Sequence, residues 1–262
     1  MAEVDKVQLF YDRGSADAYG TFRVPYQFKA QDTAALKAAF SAWVDLMELH
    51  GLPVVKVATA GTYVKKNLAS GAPSPHALGL AIDIDAVQFA DGTDLVTRRD
   101  HGSALYLVVD ALLRKCFNVV IDCYYNADHV DHYHVDMSAN YRPFRAQKTT
   151  SVFVQGTLHA LGYDAGPIDG AVGPQTVSAY AQWYLKREGT RPSSTKTRFD
   201  RMGETLADYL IANAPKKVAA DPEPSWAQQV GITDGSEPAR PATRAEVWEM
   251  LRRYHELSKK EA

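Results

Sequence analysis

Two short stretches hold half of the eight histidines in this chain of 262 residues. One is Ser74-Pro75-His76-Ala77-Leu78-Gly79-Leu80-Ala81-Ile82-Asp83-Ile84-Asp85; the other is His129-Val130-Asp131-His132-Tyr133-His134-Val135-Asp136. Neutral imidazoles and ionised carboxylates are the ligands a zinc ion takes at about 2.0–2.2 Å, and a catalytic zinc needs three of them plus an open position for water. His76, Asp83 and one histidine of the second stretch supply that set. A lone His-x-His on a strand is more often structural than a ligand; it is the pairing of the two stretches that points to a metal.

The elements that must position these residues follow from side-chain periodicity. If Ala81 to Asp85 is a strand, Ala81, Asp83 and Asp85 share one face while Ile82 and Ile84 turn to the core. Gly79 lets the loop bearing His76 fold back beside Asp83. In the second stretch His132, His134 and Asp136 alternate onto one face, with Tyr133 and Val135 on the other. Two histidines therefore reach one cleft, where one ligates and the other donates a hydrogen bond or holds a ligand from behind. Around them, residues 33 to 50 place Leu36, Phe40, Val44 and Met47 on one helical face, closed by Gly51 and Pro53. Pro53 to Val57 reads as a short buried strand. Ser103 to Cys116 reads as a helix with Leu105, Val108, Leu112 and Leu113 inward, and Phe117 to Ile121 and His132 to Met137 as further strands. This order predicts an α+β fold with a small antiparallel sheet and flanking helices.

The pattern Ser-x-His-x-x-Gly-x-Ala-x-Asp followed by Asp-x-x-His resembles the M15-type zinc peptidases. That group includes D-Ala-D-Ala carboxypeptidases, dipeptidases and phage L-alanoyl-D-glutamate endopeptidases. The surroundings, including Phe89-x-Asp91-Gly92, Cys116 and His129-x-Asp131-His132-Tyr133-His134-x-Asp136, are similar to its extensin-like C-terminal branch. The resemblance covers roughly residues 35 to 140 and implies His76, Asp83 and His134 as zinc ligands and Asp131 as general base, with His129 and His132 competing for that role. In an ideal strand Asp131 would face away from His134, so it must sit at a strand entrance or bulge. The group also has an upstream basic residue for substrate; between Thr59 and Ser74 only Lys65 and Lys66 are available, and this departure leaves the oxyanion contact open. Ser74 is expected beside the metal, where it touches substrate without acting as a nucleophile. Asp85 and Asp136 are expected to support the ligands.

From Ser151 the texture changes. Val154, Leu158 and Leu161 share a helical face, Gly162 to Pro167 turns, and Thr176 to Lys186 is helical again. The order Gly162-Tyr163, Gly166-x-Ile168-Asp169-Gly170-x-x-Gly173-x-x-Thr176, then Gln182-Trp183, is similar to the three-helix peptidoglycan-binding domain often fused to wall hydrolases. There Leu158, Leu161, Ile168 and Trp183 form core, and Tyr163 and Gln182 are left to contact sugar. Ala214 to Pro224 has linker composition. The segment from Trp226, with Thr243 as N-cap, Glu246 three residues on and an apolar stripe at Val247, Met250, Leu251 and Tyr254, resembles one S-layer-homology repeat. Three units are expected: a zinc peptidase domain over 1–146, a peptidoglycan-binding domain over 147–215, and a linker with a short helical tail over 216–262.

Composition bounds the function. With 29 Lys and Arg against 31 Asp and Glu, the formal charge of −2 offers no basic field for nucleic acid. The start lacks a basic and apolar secretory signal, and no stretch has the roughly 18 apolar residues of a membrane span, so no stable membrane association is expected. Cys116 and Cys123 form no disulfide framework; they could bridge a short loop in a protein that works outside the cell, whereas a cytosolic chain keeps them reduced. The expectation is a bacteriolytic peptidoglycan hydrolase of the endolysin kind, held in the cytoplasm until a membrane pore releases it to the wall. It would use Zn2+ to cut a stem-peptide bond such as L-Ala–D-Glu. The alternatives are a D-Ala-D-Ala carboxypeptidase, an effector injected into rival bacteria and, from another class, a wall-binding protein without catalysis.

Overall fold

The computed structural model describes residues 6–13, 19–142, 144–145 and 148–217. Its first long helix, α1 (Ala34–Leu49), begins where Thr33 accepts the Leu36 N–H on its hydroxyl at 3.2 Å, as an N-cap does. Leu36, Phe40, Val44 and Met47 are buried together with Trp43, so the four-four-three spacing marks the inward face. A second helix repeats the pattern: α3 (Ala104–Cys116) is capped by Ser103 and buries Val108, Leu112 and Leu113. Between them lies a single short turn of helix, α2 (Thr97–Asp100).

These helices pack with a seven-stranded sheet built from β1 (Gln8–Tyr11), β2 (Val24–Tyr26), β3 (Val54–Gly61), β4 (Ala81–Phe89), β5 (Asp94–Val96), β6 (Val119–Ile121) and β7 (Tyr133–Asp136). The strand order is β2-β1-β3-β4-β7-β6, with β5 also paired to β4. The mixed fold and mostly antiparallel sheet are those expected. One pairing is parallel, β1 with β3, because the chain returns through β2 and crosses over by α1 before entering β3. β4 is the central element. Its buried apolar residues are Ile82 and Ile84 in one half but Val87 and Phe89 in the other. The change of phase falls where the partners shift from Thr59↔Ile84 to Ala58↔Ala86, leaving Asp85 as an extra residue. This bulge lets one strand serve the core along its whole length while Asp85 turns to a polar neighbourhood.

After the sheet come α4 (Lys148–Ala160), α5 (Pro174–Glu188) and α6 (Phe199–Ala212). Leu158 and Trp183 are core residues, while Leu161, Ile168 and Tyr163 are half-buried. The core is continuous across residue 146: Phe153, Val154, Met202 and Leu206 belong to the same apolar cluster as Leu112 and Val135. At this junction the Arg114 guanidinium, carried by α3 and buried between Asp110 and Asp122, lies 4.6 Å from the Phe153 ring centroid. Gly156 of α4 permits the same closeness, since a Cβ there would sit 2.4 Å from the Tyr124 ring. Residues 216 and 217 turn back onto the residues just after α1, where Lys217 N–H donates to the Gly51 carbonyl at 2.6 Å. The tail expected from Trp226 onward lies outside the described residues. No helix among the described residues is long and apolar enough to cross a membrane.

Candidate metal centre

The β4–β7 ladder sets Asp83 directly opposite His134, and directly opposed residues of an antiparallel pair project from one face. His76 arrives from a one-turn 3-10 helix, His76–Leu78. Ser74 caps that turn, its hydroxyl accepting the Ala77 N–H at 3.2 Å, and Gly79 closes it at φ +66°. A Cβ at Gly79 would meet the Gln31 carbonyl oxygen at 2.0 Å, so only glycine fits. The result is a triangle of donor atoms. His76 Nε2 lies 3.2 Å from Asp83 Oδ1 and 3.1 Å from His134 Nδ1, and His134 Nδ1 lies 3.0 Å from Asp83 Oδ1. A tetrahedral ion with bonds of 2.0–2.1 Å separates its ligands by about 3.3 Å, so the triangle has the dimensions of one coordination face. The three residues form a group able to hold a metal ion.

The far side of each imidazole decides which nitrogen is free. His76 Nδ1 lies 2.5 Å from the Thr62 carbonyl oxygen; a carbonyl only accepts, so Nδ1 carries the proton and Nε2 presents its lone pair. His134 Nε2 likewise donates to Asp136 at 3.2 Å, leaving Nδ1 toward the triangle. Such outer acceptors fix tautomer and orientation in metal sites. Thr62 is itself held, its hydroxyl donating to Asp32 at 2.6 Å. Burial works against ionised Asp83, yet its contacts with the His134 and His76 imidazoles hold its carboxyl far below the usual range. Burial also opposes charge on His134, but Asp136 and Asp83 raise it to about 9.

Asp131 and His132 lie in the turn immediately before β7, the strand entrance that the sequence required of Asp131. His132 Nδ1–H donates to Asp131 Oδ1 at 2.8 Å, and His132 Nε2 is 3.8 Å from Asp83 Oδ1. His129 stands next to them, its ring centroid 5.0 Å from that of His132; burial, then the neighbouring imidazoles, lower it to about 4. Partial burial opposes the Asp131 charge, but the His132 bond and the Arg13 cation keep its carboxyl below the usual range. Arg13 also pairs at 2.7 Å with Asp85. Burial and a hydrogen bond shared with Asp12 push Asp85 up to about 10.

Of the residues singled out by sequence, His76, Asp83, His134, Asp131 and His132 are thus brought together. Ser74 is buried, and its hydroxyl is engaged in capping. Lys65 is exposed on the loop after β3 and Tyr163 is half-buried in the turn after α4; among the described residues neither bonds to the cluster. Sequence reasoning missed Thr62, Asp32, Arg13 and Asp12. None sits in a recognisable spacing, and each reaches the site only through the tertiary fold.

A family model described as "Extensin-like protein C-terminus" matches residues 23–146. That span carries the donor triangle, Asp131 and His132; it begins after Arg13 and ends before α4. No curated protein and no solved structure matches the chain.

Proposed function

We propose that this chain is a zinc-dependent peptidase that hydrolyses an amide bond in the stem peptide of bacterial peptidoglycan, with L-Ala–D-Glu as the bond cut. The observation that carries the reading is the donor triangle, in which two imidazoles are each deprived of one nitrogen by an outer acceptor and aim the other at an ionised carboxylate. Two nitrogens and one oxygen are a donor set that suits zinc and leaves a position for water. The choice of substrate rests on the sequence likeness of the Ser74–Asp85 and His129–Asp136 stretches to M15-type wall peptidases, and of residues 150 to 186 to a wall-binding module.

Zinc would be held by His76 Nε2, Asp83 Oδ1 and His134 Nδ1, and when bound it supplies a water acidified to a pKa of about 7 and a Lewis acid for the scissile carbonyl. The chain's own groups handle the proton. His132, with Nδ1–H committed to Asp131, presents the Nε2 lone pair beside Asp83 and takes a proton from the attacking water, then returns it to the leaving amine. Asp131 fixes that tautomer and stabilises the imidazolium. The resemblance alone assigned the base to Asp131; with its oxygens engaged by His132 and Arg13, the carboxylate works here through the imidazole. Release of such an enzyme from the cytoplasm by a pore-former, as for an endolysin, is part of the same proposal and predicts rapid lysis on co-expression.

Mass spectrometry of purified peptidoglycan digested with stoichiometric zinc, beside a His76→Ala control, tests the reading. New L-Ala and D-Glu ends that vanish in the control are expected. Released D-Ala would select a carboxypeptidase instead, and no metal-dependent product would leave a wall-binding protein whose metal is structural.

A further inference from the structure

Asp131 and His132 belong to a turn, not to a strand, so ladder hydrogen bonds do not fix them. The side-chain hold on Asp131 from outside the turn comes from the segment just after β1, outside the span matched by the family model. Arg13 Nη2 donates to Asp85 Oδ1 at 2.7 Å and Nη1 to Asp131 Oδ2 at 3.4 Å. Its Nε lies 3.8 Å from Asp12 Oδ1. Asp12 and Asp85 are fully buried, while Arg13 keeps a third of its side chain exposed. The Tyr19 ring covers the guanidinium at 5.0 Å. The Tyr19 hydroxyl is bonded at 2.7 Å to Thr97 Oγ1, which in turn reaches the backbone carbonyls of Asp85 and Asp131. The β4 bulge and the turn before β7 are thereby tied together at both backbone and side chain.

We propose that Arg13 is a positioning residue for the reaction: anchored at one end by buried Asp85, it holds the Asp131 carboxylate so that His132 keeps its Nδ1–H tautomer and aims Nε2 at the donor triangle. This rests on the peptidase reading above. An arginine suits the task because its planar fork carries several donors at fixed angles and can engage two carboxyl groups at once. A lysine offers a compact charge and can satisfy Asp85 while releasing Asp131. The chain segment that supplies Arg13 therefore completes a centre whose ligands all lie elsewhere.

The test uses the full-length, zinc-loaded protein as Arg13→Lys, with Arg13→Ala as the harsher change and Asp131→Ala as the reference for a released histidine. Imidazole 15N shifts should report His132 as the Nδ1–H tautomer in the wild type and as a mixture in Arg13→Lys and Asp131→Ala, with zinc affinity unchanged. On peptidoglycan, kcat should fall roughly 10- to 100-fold at an unchanged KM. A His132 tautomer and kcat that both stay at wild-type values in a folded Arg13→Lys protein would overturn the proposal. Should the wild type cleave nothing, the peptidase reading falls, while the tautomer comparison still decides whether Arg13 positions the Asp131–His132 pair.

Discussion

Asp136 touches no ligand position of the triangle, yet its carboxylate receives the Nε2–H of His134 and also the Ser138 N–H at 2.8 Å. Replacing it with asparagine keeps the shape and removes the charge that makes His134 a stronger donor. Outer partners of this kind are worth 10- to 100-fold in metal affinity, so Asp136→Asn is expected to weaken zinc by roughly that factor in a competition titration with a chromophoric chelator. His132 sits on the other side of the division between holding and reacting. His132→Ala should bind zinc within about threefold of wild type and lose roughly 10²- to 10⁴-fold in kcat, the range of a general acid–base residue. If His132→Ala instead abolished zinc binding, His132 would be a ligand and the assignment of the triangle would be wrong.

At the scale of elements, the turn bearing His76 is joined to the start of α1, because the Gly79 carbonyl accepts the Thr33 N–H at 2.9 Å. Gly79→Ala must therefore resolve both a left-handed backbone and a clash with backbone. It is expected to cost about 2–4 kcal/mol in thermal unfolding and to weaken zinc binding in parallel. The end of α3 and the turn after β6 carry the two free cysteines, Cys116 and Cys123. Burial raises the Cys116 thiol to about 11; burial, then nearby Asp122, raises Cys123 to about 12. Both thiols stay protonated in the folded protein, so neither should react with iodoacetamide at pH 8 over an hour, as read by intact mass. The folded-state values lie above those of the unfolded chain, so this contribution to stability is complete below about pH 9 and is lost as pH rises through 11 to 12. Carboxymethylation at pH 8 without unfolding would contradict the packing of α3.

For the whole molecule, the helices α4 to α6 do not hang from the sheet on a tether; they complete its core. Arg114, with Asp110 and Asp122, is buried beneath Phe153, and Gly203 of α6 admits Phe144 and Thr150 at distances a Cβ would close to 3.0 and 2.9 Å. Ending the chain at residue 146 would expose the apolar face of α3 and a buried ion cluster to water. Such a fragment is expected to aggregate, whereas residues 1–217 should unfold in one cooperative transition by calorimetry. Phe153→Ala should destabilise by about 3–5 kcal/mol. A soluble, cooperatively folded 1–146 fragment would show that the two parts are energetically independent.

His76 and Asp83 were legible from sequence because ligand chemistry restricts candidates to histidine and carboxylate, and because strand periodicity turns Asp83 away from Ile82 and Ile84; periodicity left His132 and His134 as alternatives, and only the family resemblance selected His134. The helices α1 and α3 were legible for the same kind of reason, their apolar spacing and capping residues being local. Sequence patterning did not reveal the bulge at Asp85, the parallel pairing of β1 with β3, or the delivery of Arg13 to Asp131 across 118 positions. Nor did it say which nitrogen of each imidazole is free: that depends on the Thr62 carbonyl and the Asp136 carboxylate, and a backbone carbonyl has no residue type to read. Local spacing determined which groups could bind a metal; long-range register determined their tautomers, their distances and the arginine that holds the neighbouring pair in place.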